Sequence, residues 1–249
     1  MTRRRWIADA WTATSAMLTG EQAEHLARVL RAAPGQVYDV VAGGFLHRAE
    51  IVSVRGSSAG QSAEVVFTLH EELESDSALP LHLLLAVFKF DHMEWAIEKT
   101  TELGVARITP VLARRTEKHL AQAAAKRAER WRRIALEASK QSRRTTIPEI
   151  GEPLSLKAAL DQSISPVRLL LSETEQTTSI AAALQQRDSA ALDGKLTHAL
   201  AIGPEGGWTQ EEMALFTQQG WQHVTLGPRI LRAETAAIAA IAILSSHLA

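Results

Sequence analysis

From Leu79 onward, apolar runs of strand length alternate with segments of helical period, and this alternation constrains the fold more than any other feature. Residues 81–88 are almost unbroken in apolar character, as a strand buried on both faces must be. Residues 91–103 carry Met93, Ile97 and Thr100/Thr101 on one side and stop at Gly104, a natural C-cap. Further strands are expected at 107–112, 167–171, 197–202 and 224–226, and helices at 120–142, 180–186, 211–216 and 236–244. Such alternation implies an α/β domain whose parallel sheet is covered by helices.

Two strand exits near the C-terminus carry glycine turns. Leu200-Ala201-Ile202 runs into Gly203-Pro204-Glu205-Gly206-Gly207, and Val224 leads through Leu226-Gly227-Pro228-Arg229-Ile230-Leu231-Arg232 into Ala233-Glu234-Thr235. In an open α/β sheet, turns at the carboxyl ends of strands are where small ligands bind. Glycine there lets main chain approach a ligand with no Cβ in the way. Neither turn has the Lys-Ser/Thr of a P-loop or the spacing of the dinucleotide fingerprint, so phosphate binding is not indicated. No Gly-x-Ser-x-Gly elbow occurs, and the nine histidines are scattered without metal-ligand spacing.

The first 70 or so residues read differently. A helix is expected from Glu21 to about 31, stopped by Pro34-Gly35, then a hairpin through Gly43-Gly44 and a strand at 63–69. Short strands joined by Gly/Ser turns suggest a small β-barrel. The acidic stretch 71–76 has no periodicity and reads as a flexible boundary between 1–72 and 73–249.

Cysteine is absent, which removes disulfides, thiolate metal sites and thiol nucleophiles and suits a cytoplasmic protein. No apolar run approaches the ~20 residues of a membrane span, so no membrane association is expected, and no metal either. The net charge of −1 hides an uneven distribution. Residues 114–144 hold eleven Lys/Arg against Glu117, Glu129 and Glu137. Leu120, Ala124, Trp131, Ile134/Ala135 and Ala138 mark the core side of the long helix. Lys126, Arg130, Arg133, Lys140 and Arg144 form a cationic stripe with few acidic partners at i,i+4. A solvated helix face is the usual reading of a charge run, but so large an excess of one sign favours a polyanionic partner such as nucleic acid.

Several motifs together resemble one family: Met93-Glu94-Trp95, Lys99-Thr100-Thr101-Glu102-Leu103-Gly104-Val105, Glu129-Arg130-Trp131, Glu137-Ala138-Ser139-Lys140-Gln141-Ser142, and both glycine turns through Ala236. With His25, Arg28-Val29-Leu30-Arg31 and Gly35 near the start, the sequence resembles the ribosomal RNA small subunit methyltransferase E family, of the SPOUT class, over nearly its whole length. The resemblance implies a PUA-like β-barrel RNA-binding domain over 1–72 and a SPOUT methyltransferase domain over 73–249, ending in a deep trefoil knot. It implies a homodimer that uses S-adenosyl-L-methionine to methylate uracil N3 at one uridine of 16S rRNA, free or in the small ribosomal subunit. Alternatives in other classes are a SPOUT enzyme acting on a ribose 2′-hydroxyl or on tRNA, and a non-catalytic RNA-binding assembly factor. Phe90 and His92 stand where that family commonly has Gly and Arg, and Arg143 where it has a small residue. These departures are expected to touch the RNA-facing surface rather than the cofactor pocket.

Carried onto this chain, the cofactor-binding residues would be Leu171, Ile202, Gly203, Glu205, Gly206, Leu226, Gly227, Ile230, Leu231 and Thr235. The RNA-binding residues would be Arg4, Arg28, Arg31, Lys89, Lys99, Arg114, Arg115, Arg130, Arg133, Lys140, Gln141 and Arg144, with Lys99–Glu102 as an alternative local helix pair. Arg232 is a candidate to stabilise a uridinate, and Glu234 to act as a base or to cap the last helix. Methylation at pyrimidine C5 ordinarily needs a thiolate adding to C6. A chain without cysteine therefore favours a nitrogen or oxygen acceptor.

Overall fold

The computed structural model describes residues 5–58, 60–73, 78–185 and 196–248. Contacts divide the chain into two compact units, one of 1–77 with 140–146 and one of 78–139 with 147–249.

The first unit is a six-stranded sheet of β1 (Arg5–Ile7), β2 (Ala10–Trp11), β3 (Ser15–Thr19), β4 (Val37–Ala42), β5 (Phe45–Arg55) and β6 (Glu64–Leu73). Its order is β1-β4-β5-β6-β3-β2, antiparallel throughout except for β1 beside β4. The β4–β5 hairpin turns on Gly43 and Gly44, both at positive φ (63° and 90°), as a two-residue turn matching the strand twist requires. Two register shifts along β5–β6 add local twist. Trp6, Leu18, Leu26, Val40, Ile51 and Phe67 fill the core. Two expectations are corrected. The predicted helix is α1 (Gly20–Glu24) followed by a π-helical stretch, His25–Val29, and it is over before Arg31, which lies at φ 50°. Glu71, Glu72 and Leu73 are strand rather than flexible boundary, because Glu72 and Leu73 pair with His47 and Leu46.

The second unit runs β7 (Leu79–Ala86), α2 (Phe90–Glu102), β8 (Val105–Leu112), α3 (Lys118–Gln141), β9 (Glu149–Ile150), β10 (Leu154–Ser155), α4 (Leu156–Gln162), β11 (Val167–Leu171), α5 (Ile180–Gln185), β12 (His198–Ile202), α6 (Gln210–Gln218), β13 (Gln222–Val224) and α7 (Ala233–Leu248). Its sheet is parallel at every pairing, in the order β10-β8-β7-β12-β11-β13, with β9 also on β8. The alternation of side chains along β7 explains its unbroken apolar run. Leu81, Leu83 and Leu85 pack with α2, α3, α5 and α7, whereas Leu84 and Ala86 pack on the other face with Leu156, Leu160, Trp208, Phe216 and Trp221. Gly104 closes α2 at φ 101°, and Leu79 lies 3.1 Å from where its Cβ would be. Within the sheet, His82 is buried and shares a 2.8 Å hydrogen bond with Thr109. Burial, then the nearby Arg107, lowers its pKa to about 4, so it stays neutral. The short elements β9, β10 and α4 have too little periodicity to be expected from sequence.

Candidate functional site

Strands β12, β11 and β13 lie side by side and point the same way, so the loops that leave them gather at one edge of the sheet. Two of these loops are the glycine turns. The third, 172–179 after β11, escaped the sequence reading except for Leu171 at its root. Its signal was there, since Ser172, Thr174, Glu175, Thr177 and Thr178 are the residues that build side-chain-to-backbone turns. Thr177 and Thr178 amides both donate to Glu175 Oε1 at 2.8 Å. The Thr225 amide donates to the Thr178 carbonyl at 2.9 Å, and the Ile180 amide to the Thr225 carbonyl at 3.3 Å, so this loop splints the start of the second glycine turn.

The first turn is filled by protein. A Cβ on Gly203 would meet Trp208 Nε1 at 3.0 Å and two ring carbons at 3.3 Å. Trp208 in turn stacks edge-on against Phe216 with ring centroids 5.0 Å apart. Gly207 adopts φ 69° and its amide donates to the Pro204 carbonyl at 2.8 Å. Arg115 Nη1 donates to the Gly206 carbonyl at 2.6 Å, and its stem lies 3.4 Å from where the Gly206 Cβ would be. A capping box closes the segment: Thr209 Oγ1 accepts from the Glu212 amide, and Glu212 Oε2 accepts from the Thr209 amide at 2.8 Å. The second Glu212 oxygen accepts from the Arg114 amide at 2.8 Å, which ties the loop after β8 to this turn. Glycine at 203 thus makes room for a tryptophan, a reason that the turn motif alone does not disclose.

The second turn is open. Gly227 sits at φ 104°, a conformation that side chains rarely adopt, and apart from its chain neighbours no atom of the described residues lies within 4 Å of its Cβ position. Its amide donates to Thr225 Oγ1 at 3.1 Å. Ile230 is 83% exposed, although it is a large apolar side chain in a well-formed loop. Leu171 and Leu226 are half-buried at the margin of the main core, Leu231 is half-buried, Ile202 is buried, and Thr235 is exposed. Apolar side chains with one face free, together with free main chain, form a wall for an apolar or aromatic ligand surface.

A charged cluster joins the two turns to α2. Lys89 Nζ lies 3.6 Å from Glu205 Oε2. His92 Nδ1, on the first turn of α2, lies 3.8 Å from Glu205 Oε1 and 3.6 Å from Glu234 Oε1, while Nε2 lies 3.7 Å from Asp91 Oδ2. Glu234 is only 2% exposed, and no described helix amide hydrogen-bonds to its carboxylate. Its Oε2 and His92 Nδ1 are both buried without a hydrogen-bond partner. Glu234 therefore benefits from the α7 dipole but is not a capping acceptor. Arg232, just before α7, is exposed, and its side chain has no ion pair or hydrogen bond among the described residues. Sequence reasoning missed His92, whose expected place was the RNA-facing surface. Phe90 likewise packs inward, 6.0 Å from Trp131, with the Arg127 guanidinium 4.8 Å over its ring.

The expected RNA-contacting cations differ in exposure and in how far other side chains engage them. Within the second unit, Arg114, Arg115, Lys89 and Arg133 are exposed. Arg130 is held by Glu94 through two hydrogen bonds of 2.7 and 2.8 Å, and Arg127 pairs with the same carboxylate at 3.5 Å, so α2 neutralises part of the stripe that α3 lacks the acids to neutralise. Lys99 donates to Glu98 at 2.6 Å and to Glu102 at 2.8 Å, which is the local helix pair, and the hydrogen bond to Glu102 followed by that to Glu98 raises its pKa. Within the first unit, Arg28 pairs with Glu24 at 2.5 Å, Arg31 and Gln141 are exposed, and Lys140 and Arg144 are half-buried. Burial lowers the Arg144 pKa to about 10. Arg143 lies at φ 62°, and its carbonyl accepts from Arg5 Nη1 at 2.7 Å. Arg4 lies outside the described residues. Among those residues no helix is long and apolar enough to cross a membrane, and no group of three or more His, Cys, Asp or Glu is placed to hold a metal ion.

Comparison with known proteins bears directly on this edge of the sheet. A family model described as an RNA methyltransferase domain matches residues 75–245. The chain is 35% identical over 227 residues to a ribosomal RNA small subunit methyltransferase E of Synechocystis, covering 90% of this chain and 71% of the relative. It is 33% identical over 234 residues to the Bacillus subtilis protein of the same name, covering 92% and 88%. Among solved structures, ribosomal RNA small subunit methyltransferase E from Neisseria gonorrhoeae, bound to S-adenosyl methionine, superposes with a TM-score of 0.78 at 30% identity, covering 99% of this chain and 98% of that one.

Proposed function

Because this chain belongs to the ribosomal RNA small subunit methyltransferase E family, we propose that it binds S-adenosyl-L-methionine at the three gathered loops and methylates uracil N3 of one uridine in 16S rRNA. The observation that carries the cofactor site is the contrast between a closed and an open turn on adjacent strands. In the first turn Trp208 occupies the Cβ side of Gly203, while Gly227 and the exposed Ile230 offer free main chain and apolar surface beside it. The pocket suits the cofactor chemically. Leu171, Leu226 and Ile230 can face an adenine ring, and Glu205 and Glu234 place negative charge where a sulfonium cation gains from it. Bound there, the cofactor supplies an electrophilic methyl group. The chain must then orient the uridine, remove the N3 proton and stabilise the anion that remains. Exposed and unpaired, Arg232 is suited to the last task.

Uracil N3 is favoured over C5 because no cysteine is available to add to C6. N3 lies on the Watson–Crick edge, so the target base must be unpaired or splayed out when it enters. We assign RNA contact to Arg114, Arg115, Lys89 and Arg133 in the second unit, and to Arg31, Gln141 and Arg28 in the first, which we take to be a PUA-like RNA-binding domain. Support for a deep trefoil knot comes from α7. The chain reaches it from the edge strand β13, yet α7 packs against α2, α5, β7 and β12. Its remaining face includes Ile243, more than a third exposed, and is the contact we assign to a homodimer. A cytoplasmic enzyme acting on rRNA or the small subunit fits this picture.

Nucleoside mass spectrometry of 16S rRNA tests the reading. In a strain lacking the gene, 3-methyluridine is expected to disappear and to return when this chain is supplied. Persistence of 3-methyluridine sinks the specific activity. A deficit in a ribose-methylated or tRNA nucleoside instead identifies the rival SPOUT chemistry, and failure to bind S-adenosyl-L-methionine in calorimetry identifies a non-catalytic assembly factor.

A further inference from the structure

We propose that His92 is the group that takes the proton from uracil N3, held in position by the buried Glu234; this assignment rests on the uracil-N3 reading above. The geometry is that of a carboxylate–imidazole dyad. Glu234, inside the protein at the start of α7, presents Oε1 to His92 Nδ1 at 3.6 Å, and its Oε2 has no hydrogen-bond partner. A buried carboxylate is costly unless paired. Around it the charges sort into two pairs. Glu205 has the exposed Lys89 ammonium on Oε2 at 3.6 Å, so its more distant 3.8 Å approach to His92 is secondary. Among the described residues, Glu234 has only His92. The third acid near the ring, Asp91, faces Nε2 at 3.7 Å from a largely exposed position and can swing away.

A buried carboxylate facing Nδ1 favours the neutral imidazole with its proton on that nitrogen, which leaves Nε2 as the basic site. The ring bridges the two environments, with Nδ1 buried and the side chain as a whole about three-tenths exposed. The gap of 3.6 Å is longer than a hydrogen bond, as catalytic pairs commonly are before substrate closes the site. The step balances simply. The N3–H bond breaks with its electron pair left on N3, and the proton joins Nε2. The N3 pair then forms the bond to the methyl carbon while the departing sulfur keeps the old bonding pair, and the imidazolium later returns its proton to water. Arg232, two residues before Glu234, is left free to face the uridinate.

The test uses the full-length protein, methyl-labelled S-adenosylmethionine and small-subunit rRNA from a strain lacking the gene. His92→Gln is expected to lower the single-turnover rate at neutral pH by about 100-fold or more, with cofactor affinity unchanged. Its residual rate is expected to climb about tenfold per pH unit as hydroxide takes over the proton. Imidazole added to His92→Ala is expected to restore activity. Glu234→Gln keeps the shape of the carboxylate, and its expected effect is a smaller loss of rate. It is also expected to shift the neutral His92 ring toward the Nε2–H tautomer in ¹⁵N spectra of the cofactor-free protein, a readout independent of turnover. A His92→Gln enzyme that keeps the native rate within about twofold, or that loses rate only in proportion to cofactor affinity, overturns the assignment. The underlying reading fails separately and visibly: the native enzyme then makes no 3-methyluridine, and no N3 proton needs a base.

Discussion

Where the first glycine turn leaves β12, Trp208 lies over Gly203 and Arg115 over Gly206. Where the second leaves β13, no atom of the described residues beyond the chain neighbours comes within 4 Å of the Cβ position of Gly227, and Ile230 stands in the open. Both turns contain a Gly-Pro pair after a strand, and in sequence both suggest main chain approaching a ligand. The glycines do different work. At 203 the missing Cβ admits a side chain of the protein itself, and the turn becomes a rigid wall. At 227 it permits a backbone conformation, and the turn becomes a surface still to be covered. A glycine motif therefore identifies close approach without saying what approaches.

Substitutions separate the two turns. The largest effect is expected from Gly203→Val, which drives two methyl groups into a tryptophan already stacked on Phe216. Overpacking of this kind costs about 3 kcal/mol, or a melting temperature lower by about 6–12 °C in a chain of this size. Calorimetric melting checks it, and Trp208→Leu in the same chain is expected to return part of the loss, because the clash is with that ring. A Gly203→Val protein that melts normally but no longer binds S-adenosyl-L-methionine would assign the space to the cofactor and erase the contrast. Gly227→Ala comes next. It meets no neighbour but forces a side chain to φ 104°, at about 1–2 kcal/mol. Here part of the loss is expected in cofactor affinity, measured by calorimetry, since the turn faces the ligand. Ile230→Ala is smaller again. Stability is expected to hold within about 0.5 kcal/mol, as for an exposed side chain, while the cofactor binds about fivefold more weakly, about 1 kcal/mol of lost apolar contact.

Much of the second unit was legible because its signals are periodic. The apolar run at 81–88 pointed to a two-sided strand, found at Leu79–Ala86, and Leu120, Ala124, Trp131, Ala135 and Ala138 do line the buried face of α3. What was hidden depends on neighbours distant in sequence. The cationic stripe of α3 looked unneutralised because its acid, Glu94, sits on α2. Glu71–Leu73 looked flexible because its partners, His47 and Leu46, belong to another strand. Above all, His92 gave no sign of the role proposed for it. A lone histidine on the first turn of a helix acquires meaning only when α7 brings a buried carboxylate to its Nδ1. The 172–179 loop was likewise overlooked, since its polar residues point to a turn but not to the strand exit that the turn supports.

That loop provides the smallest and most local prediction. Glu175 is half-buried, and its pKa is lowered from 4.5 to about 2, first by the Thr177 hydroxyl and then by the Thr178 and Thr177 amides. The folded value lies below the unfolded one, so the stabilisation is present above about pH 4.5 and is lost as the pH falls through about 2. Because Thr178 carries the carbonyl that accepts from the Thr225 amide, this carboxylate props the second turn and not the first. Amide-exchange protection, corrected for intrinsic rates, is therefore expected to fall at Thr177, Thr178 and Thr225 between pH 4.5 and 2. Gly207, whose amide is bonded within its own turn to Pro204, is expected to keep its protection. Glu175→Gln is expected to show the weaker protection at every pH and to lose the acid transition. If both turns loosen together in native protein, the open turn is not held by its own charged splint, and the rigid and open halves of the site are one cooperative unit.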